Sequence, residues 1–451
     1  MSIKHKYPGQ WDDAKGSAQL STCYKGQPMP PIDSRREQLP IDQQQEVIWT
    51  YDIVWRPSEI QWASRWDVYL SMAGRYDDEV HWFSIINALL IVLFLTGMVG
   101  MILVRSLRRD IARYNRIPTD EELAEDREET GWKLLHRDVF RPPAWFPMIF
   151  TVAVGSGMQL LVMSLLVIFL AAIGFVSPAN RGSVAIALVL IYVLMGSVAG
   201  YSTSRLYKMF KGKNWQRSTI LAGMLFPGTC FTVFFVLNLF VWGEGSTNAV
   251  PFGTILAVLA MWFCISMPLV FFGAYVGYRK DTFKLPVNTT SNIARPVPEQ
   301  PAYLSTPFAI AVGGVLPFGA VFVELFFILS SLWLNQYYYV FGFLLLVWII
   351  LIITCAEITI MLTYFQLCSE DYHWWWRSFL TAGSTGLYIY GYSAYYFFTR
   401  VLKPGSYMIT GFLYFGYMGL LCFGMFLLCG SVGFYSSFWF INKIFGSIKV
   451  D

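Results

Sequence analysis

The sequence predicts an all-α polytopic membrane protein, with nine transmembrane helices preceded by a small β-containing luminal remnant. Three observations predict it. Of 451 residues, 55% are hydrophobic and 18% aromatic. Only 14% are charged, against roughly 25% in soluble globular chains. Nine runs approach the about 20 mostly apolar residues that a membrane-crossing helix needs. Finally, lysine and arginine collect in alternate connections between those runs, as orientation by positive charge requires.

Residues 1–80 come first and are mostly polar. "EVIWTYDIVW" (46–55) is rich in β-branched and aromatic residues and predicts a strand. One strand in about 80 residues cannot bury a convincing core, so this stretch is expected to be the C-terminal part of a larger luminal β-rich domain. "SIKHKYPGQWDD" after Met1 holds no apolar leader. Either the first apolar run targets the chain, or the sequence lacks its natural beginning. Cys23 lies in this polar part, and the other six cysteines fall in or beside apolar runs without CxxC or zinc-type spacing. No internal disulfide framework is implied.

The nine runs are 82–104, 147–174, 183–202, 218–241, 253–278, 307–333, 339–365, 378–397 and 407–440. The third and eighth are short and rich in small residues, and the last is long enough to run into the interface. "RSLRRDIARYNR" (105–116) follows the first run with five arginines, whereas residues 61–81 before it hold only Arg65 and Arg75. That places the N-terminus in the lumen. The segments 105–146, 203–217, 279–306, 366–377 and 441–451 then fall in the cytosol with 21 basic residues, against three in the luminal loops between the spans. The domain of nine helices therefore covers 81–440, and 441–451 is a cytosolic tail.

Within the cytosolic loops, "IPTDEELAEDREET" (117–130) predicts a solvated helix capped by Thr119. "NIARPVPEQP" (292–301) predicts an extended linker. The sequon at Asn288 lies on the cytosolic side and is expected to stay unmodified.

Two acids lie deep within spans: Glu324 in "VFVELFF" and Glu357 in "TCAEITI". A mid-membrane acid costs about 2.5–3.5 kcal/mol on an insertion scale, so each is a functional-site candidate. Counted from opposite ends of their spans they sit at different depths, which favours two separate hydrogen-bonded anchors over one carboxylate pair. Structural anchoring and binding of a cargo helix or an ion both stay open. Gly196/Gly200 and Gly273/Gly277 form GxxxG pairs, which let helices approach closely. They fit packing within the bundle or a groove for another protein's glycine-rich helix. Pro317 is expected to kink the sixth span before Glu324.

"EDYHWWWRSF" (370–379) stands at the cytosolic start of the eighth span. Trp374, Trp375 and Trp376 beside Arg377 predict an interfacial belt with rings at headgroup level. Glu370, Asp371 and His373 are placed to form a polar cluster with Arg377. A lone histidine beside two acids is weak evidence for a metal site, and no metal or cofactor is expected. The chain has four histidines, none deep in the bilayer, and no HExxH motif or intramembrane aspartate pair. An enzyme is not expected, nor is a nucleic-acid partner; the lipid bilayer is the one certain surrounding.

In "HWFSIINALLIVLFLTGMVGMILVRSLRRDIARYN", "ETGWKLLHRDVFRPP" and "EDYHWWWRSF", taken in that order, the sequence resembles the transmembrane-9 superfamily, the nonaspanins. The likeness runs from "SIKHKY" to the terminal "KVD". It implies a signal peptide and a large, mostly β luminal domain in family members, of which only the last part stands here. It also implies Golgi and endosomal membranes, and a role in sorting or surface delivery of other membrane proteins. From it, Lys449 and Asp451 read as a K-x-D terminal signal that binds coat protein I and retains the protein in the Golgi. The compact pairing of an ammonium with two carboxylates suits a coat subunit with acidic and basic pockets. Client transmembrane helices would be the other partners. The alternative is an ion- or proton-coupled transporter or channel using Glu324 and Glu357.

Overall fold

A computed structural model describes Pro57 and residues 82–114, 131–175, 183–243, 245, 249–287, 293–333, 341–401 and 408–447. Pro57 aside, these all lie in one compact unit, Trp66–Asp451. The predicted strand at 46–55, the helix at 117–130, Cys23, the sequon at Asn288 and the terminal Lys449 and Asp451 fall outside the described residues.

The described residues form helices at all nine predicted positions, and contain no β-strand. They are α1 (Trp82–Tyr114), α2 (Pro147–Ala172), α3 (Ser183–Leu194), α4 (Gly196–Met209), α5 (Trp215–Gly243), α6 (Phe252–Met261), α7 (Met267–Arg279), α8 (Thr306–Trp333), α9 (Phe341–Cys368), α10 (Trp374–Tyr396) and α11 (Met408–Gly446). The third span is α3 and α4 with a break at Met195. The fifth is α6 and α7, joined by a π turn at Trp262–Ser266. Pro227 in α5 and Pro317 in α8 are each carried inside an unbroken helix.

Among the described residues, seven of the nine positions are long and apolar enough to cross a membrane by length and composition. The other two are α1, a 33-residue helix whose sequence is apolar over 82–104, and α10. The reason for α10 is physical: Ser378, Thr381, Ser384 and Thr385 are buried against protein, so that face has no need to be oily. Lipid-type surface lies elsewhere, with Phe94, Ile186, Leu190, Phe272, Phe308 and Phe412 exposed along their helices.

Close packing depends on small residues. Gly196 and Gly200 on α4 pack against Ser266, Val270 and Ala274, while Gly273 and Gly277 on α7 pack against Ser197, Tyr201 and Ser204. The two predicted GxxxG pairs are therefore each other's partners. A Cβ at Gly200 or Gly273 would overlap backbone of the facing helix. Polar side chains join further helices. Gln159 of α2 donates to Tyr192 O at 2.8 Å, Trp348 of α9 to Ser164 Oγ at 3.1 Å, and Tyr414 of α11 to Ser393 O at 2.7 Å.

The described parts of the five segments assigned to one side by charge meet at one end of the bundle, the basic end. There α11 differs from expectation. It runs 39 residues, about 58 Å at 1.5 Å per residue, against a hydrocarbon core of roughly 30 Å. Residues 441–446, read from sequence as tail, remain helical, with Ile441, Ile444 and Phe445 buried. Phe434, Phe438, Ile441 and Phe445 recur at helical spacing. Lys443, between them in sequence, is exposed.

Candidate functional site

The predicted cluster at 370–377 occupies the centre of the basic end. Helix α9 stops at Cys368, and the chain turns through Glu370, which adopts a left-handed φ of 63°. A non-glycine residue holds that conformation only where its surroundings fix it. Two partners hold Glu370: Arg295 at 2.9 Å and the Gly131 N–H at 3.3 Å.

Asp371 is nearly buried and organises the start of α10. It accepts from Gln366 Nε2 at 2.8 Å and from the His373 N–H at 2.9 Å, and the His373 ring Nδ1 lies 3.0 Å away. The guanidinium of Arg377, 3.6 Å off, donates in addition to Leu304 O at 2.8 Å. Burial pushes the Asp371 carboxyl up, but the hydrogen bonds from His373 and Gln366, with the histidine's charge, outweigh it and hold the group below the usual aspartate range.

The three tryptophans do something the sequence did not predict. Each indole N–H donates to a backbone carbonyl of the segment before α2: Trp374 to Val139, Trp375 to Arg141 and Trp376 to Trp145, all at 2.8 Å. Trp374 is fully buried and Trp375 is 3% exposed, so these two are not an interfacial belt. Only Trp376, half-buried, keeps an edge outward. Residue type alone cannot tell an indole facing headgroups from one facing a carbonyl of the same chain.

Around the pins an aromatic core forms. Trp374 stacks on Trp375 at 4.0 Å and packs with Phe434 and Phe438 of α11. Phe150, completely buried at the start of α2, meets Trp375, Trp376, Phe210, Phe379 and Phe434. Trp132 closes on Phe445 edge-on at 5.3 Å. The second strap is 293–305, which includes most of the predicted linker 292–301. It has no regular structure up to Pro301 and then makes a 3-10 turn at Ala302–Leu304, and Arg295 and Gln300 fasten it to Glu370 and to Ser369 O. Arg295, Gln300, Gln366 and Phe150 went unnoticed in the sequence because each is an ordinary residue whose partner is 5 to more than 200 positions away.

The cluster thus clamps two connecting segments to α10 and α11. Among the described residues no group of three or more His, Cys, Asp or Glu is placed to hold a metal ion.

Away from that end, Glu324 is 9% exposed on α8, and Glu357 is half-buried on α9. The Glu357 carboxyl lies near the Thr96 hydroxyl of α1. The Thr96 hydroxyl itself donates to Val92 O at 2.8 Å. Glu357 is therefore one of the points where α1 meets the bundle.

The family model for Endomembrane protein 70 matches residues 5–405. The chain belongs to the transmembrane 9 superfamily. It is similar to transmembrane 9 superfamily member 9 of Arabidopsis thaliana, 51% identical over 450 residues, which cover 100% of this chain and 68% of the relative. Member 2 of Homo sapiens is 48% identical over 407 residues, covering 90% of this chain and 60% of that protein. For the human member 4 the figures are 45% over 419 residues, 93% and 64%. No solved structure matches. This transmembrane 9 chain is thus a multispan membrane protein, helical among its described residues, that spans about two thirds of the length of its plant relative.

Proposed function

We propose that this transmembrane 9 protein sorts or escorts other membrane proteins in Golgi and endosomal membranes, and is not an enzyme. Its N-terminus is luminal and its basic end cytosolic. Client transmembrane helices are engaged within the bilayer. Lys449 and Asp451 bind coat protein I and return the protein to the Golgi.

One observation carries the reading. The clamp holds the last turns of α11 through Ile441, Ile444 and Phe445, so the terminal residues start from a fixed exit beside the other basic loops. Gly446 there adjoins Pro286. A signal delivered from a rigid exit suits a coat that must read a short, charged tip.

The GxxxG pairs already occupy each other, so a client helix has to use another surface. The transporter reading loses support from α8, which runs unbroken through Pro317.

The test is localisation of Lys449→Ser, Asp451→Ala and a variant extended by one C-terminal residue. Each is expected to leave the Golgi, and unchanged localisation of all three rejects the signal. Reconstituted vesicles address the alternative: solute flux that Glu324→Gln abolishes would make the protein a carrier.

A further inference from the structure

The ends of α4 and α7 and the start of α5 make a surface that the clamp does not use. Lys211, Lys213, Arg217, Arg279, Lys280 and Lys284 are all exposed there. Asp281 is the one acid in 201–217 and 278–287.

Two more cations build the scaffold. Lys208 Nζ donates to Tyr278 O at 2.8 Å and Lys280 O at 2.7 Å, closing the C-terminus of α7. Arg205 donates to Asp281 O at 3.0 Å and lies over the Phe283 ring at 4.2 Å. Between α4 and α5 the chain turns tightly. Lys211 has a left-handed φ of 56°, its N–H donates to Lys208 O at 3.0 Å, and Gly212 N–H donates to Tyr207 O at 3.1 Å. The outward lysines thus stand on fixed backbone. Trp215, 46% exposed, packs edge-on to Tyr278 at 6.1 Å.

Depth decides the partner. The spans that end here run 27, 29 and 28 residues, about 40–44 Å at 1.5 Å each. That matches a bilayer of about 40–45 Å with its headgroups, so the patch lies at headgroup level, with Trp215 as an interfacial anchor. We propose that this patch binds a polyanionic phospholipid headgroup, of the phosphorylated inositol-lipid class, in the leaflet facing the basic end. Six exposed cations against one acid fit several phosphate charges on one headgroup better than a singly charged lipid.

The test measures binding of dioctanoyl phosphatidylinositol bisphosphate to the full chain in detergent micelles. The variant is Lys211→Asn, Lys213→Ala and Lys284→Ala together, with asparagine chosen because it tolerates the left-handed turn. Each basic residue near such a surface contributes roughly fivefold, so affinity should fall on the order of 100-fold. Replacing the same three lysines by arginine should preserve it, as should Arg108→Gln with Arg109→Gln at the end of α1. Absence of saturable binding, or equal weakening by the α1 pair, overturns the proposal. Equal affinity for phosphatidylserine removes the polyanionic preference and overturns it as stated. Inositol trisphosphate separates the sources: binding as tight as the lipid assigns the patch to a soluble polyphosphate instead. Displacement by a polyglutamate peptide at lower concentration than the lipid assigns it to an acidic protein and refutes the lipid.

Discussion

Replacing the three tryptophans one at a time by phenylalanine separates a set of backbone pins from a headgroup belt. Phenylalanine keeps most of the ring and removes the N–H. At Trp374 the carbonyl left behind belongs to Val139, which is fully buried. An unsatisfied buried acceptor costs about 1–3 kcal/mol, and the missing ring atoms add a little, so Trp374→Phe should lose about 2–3 kcal/mol. The Arg141 carbonyl paired with Trp375 is only partly buried, and water can reach it at a loss of about 1 kcal/mol. Trp376 bonds at an exposed site, and its replacement should cost less than about 0.5 kcal/mol. With 17 tryptophans in the chain, fluorescence would blur these differences. Pulse proteolysis with trypsin across an SDS titration in mixed micelles reads the unfolded fraction directly. Equal losses at all three positions, or the largest at Trp376, would refute the pin assignment and restore the belt.

Leucine at Gly200 or Gly273 forces α4 and α7 apart, with an expected loss of at least 1–3 kcal/mol in the same titration; alanine at Gly391, which faces open space, should be neutral or stabilise by up to about 1 kcal/mol. The lowered Asp371 carboxyl supplies stability that is fully present above its ordinary pKa and fades as pH falls through the lower folded value. Thermal stability should therefore carry an acid limb below about pH 4, and Asp371→Asn should flatten that limb while reducing stability at pH 7. An amide at 357 can donate to the Thr96 oxygen, whose own hydrogen goes to Val92 O. Glu357→Gln should stay within about 0.5 kcal/mol of the parent chain, while Glu357→Ala loses the contact and packs α1 more loosely, read as faster cleavage at its arginines.

The helices at the nine apolar positions were legible because apolar length is a bulk property, which single residues report without partners. The apolar stripe at 434–445 was equally readable, but ending the span at 440 assumed that a helix stops where the membrane does. At α10 the run 378–397 was read as a span although Thr381, Ser384 and Thr385 lower its apolar content, and the helix there buries those residues against protein. The GxxxG pairs announced close approach but not the identity of the neighbour, since a glycine pattern carries no address. Asp371, His373 and Arg377 lie together, but Glu370 turns to Arg295 instead, and the tryptophans reach the carbonyls at 139, 141 and 145. Main-chain acceptors leave no trace in a sequence.

Because the indoles grip main-chain oxygen, the grip is indifferent to which side chains ride on the held segment. Substitution can accumulate at the exposed positions 142, 144 and 145 without loosening the attachment, so long as the path of the chain is kept, whereas Val139 and Phe140 are fixed by their own burial. The reverse does not hold, since no other residue at 374 carries an N–H at that reach on an apolar plate. Variation should therefore be asymmetric across this joint, with freedom at the outward positions of the held segment and intolerance on the holding one.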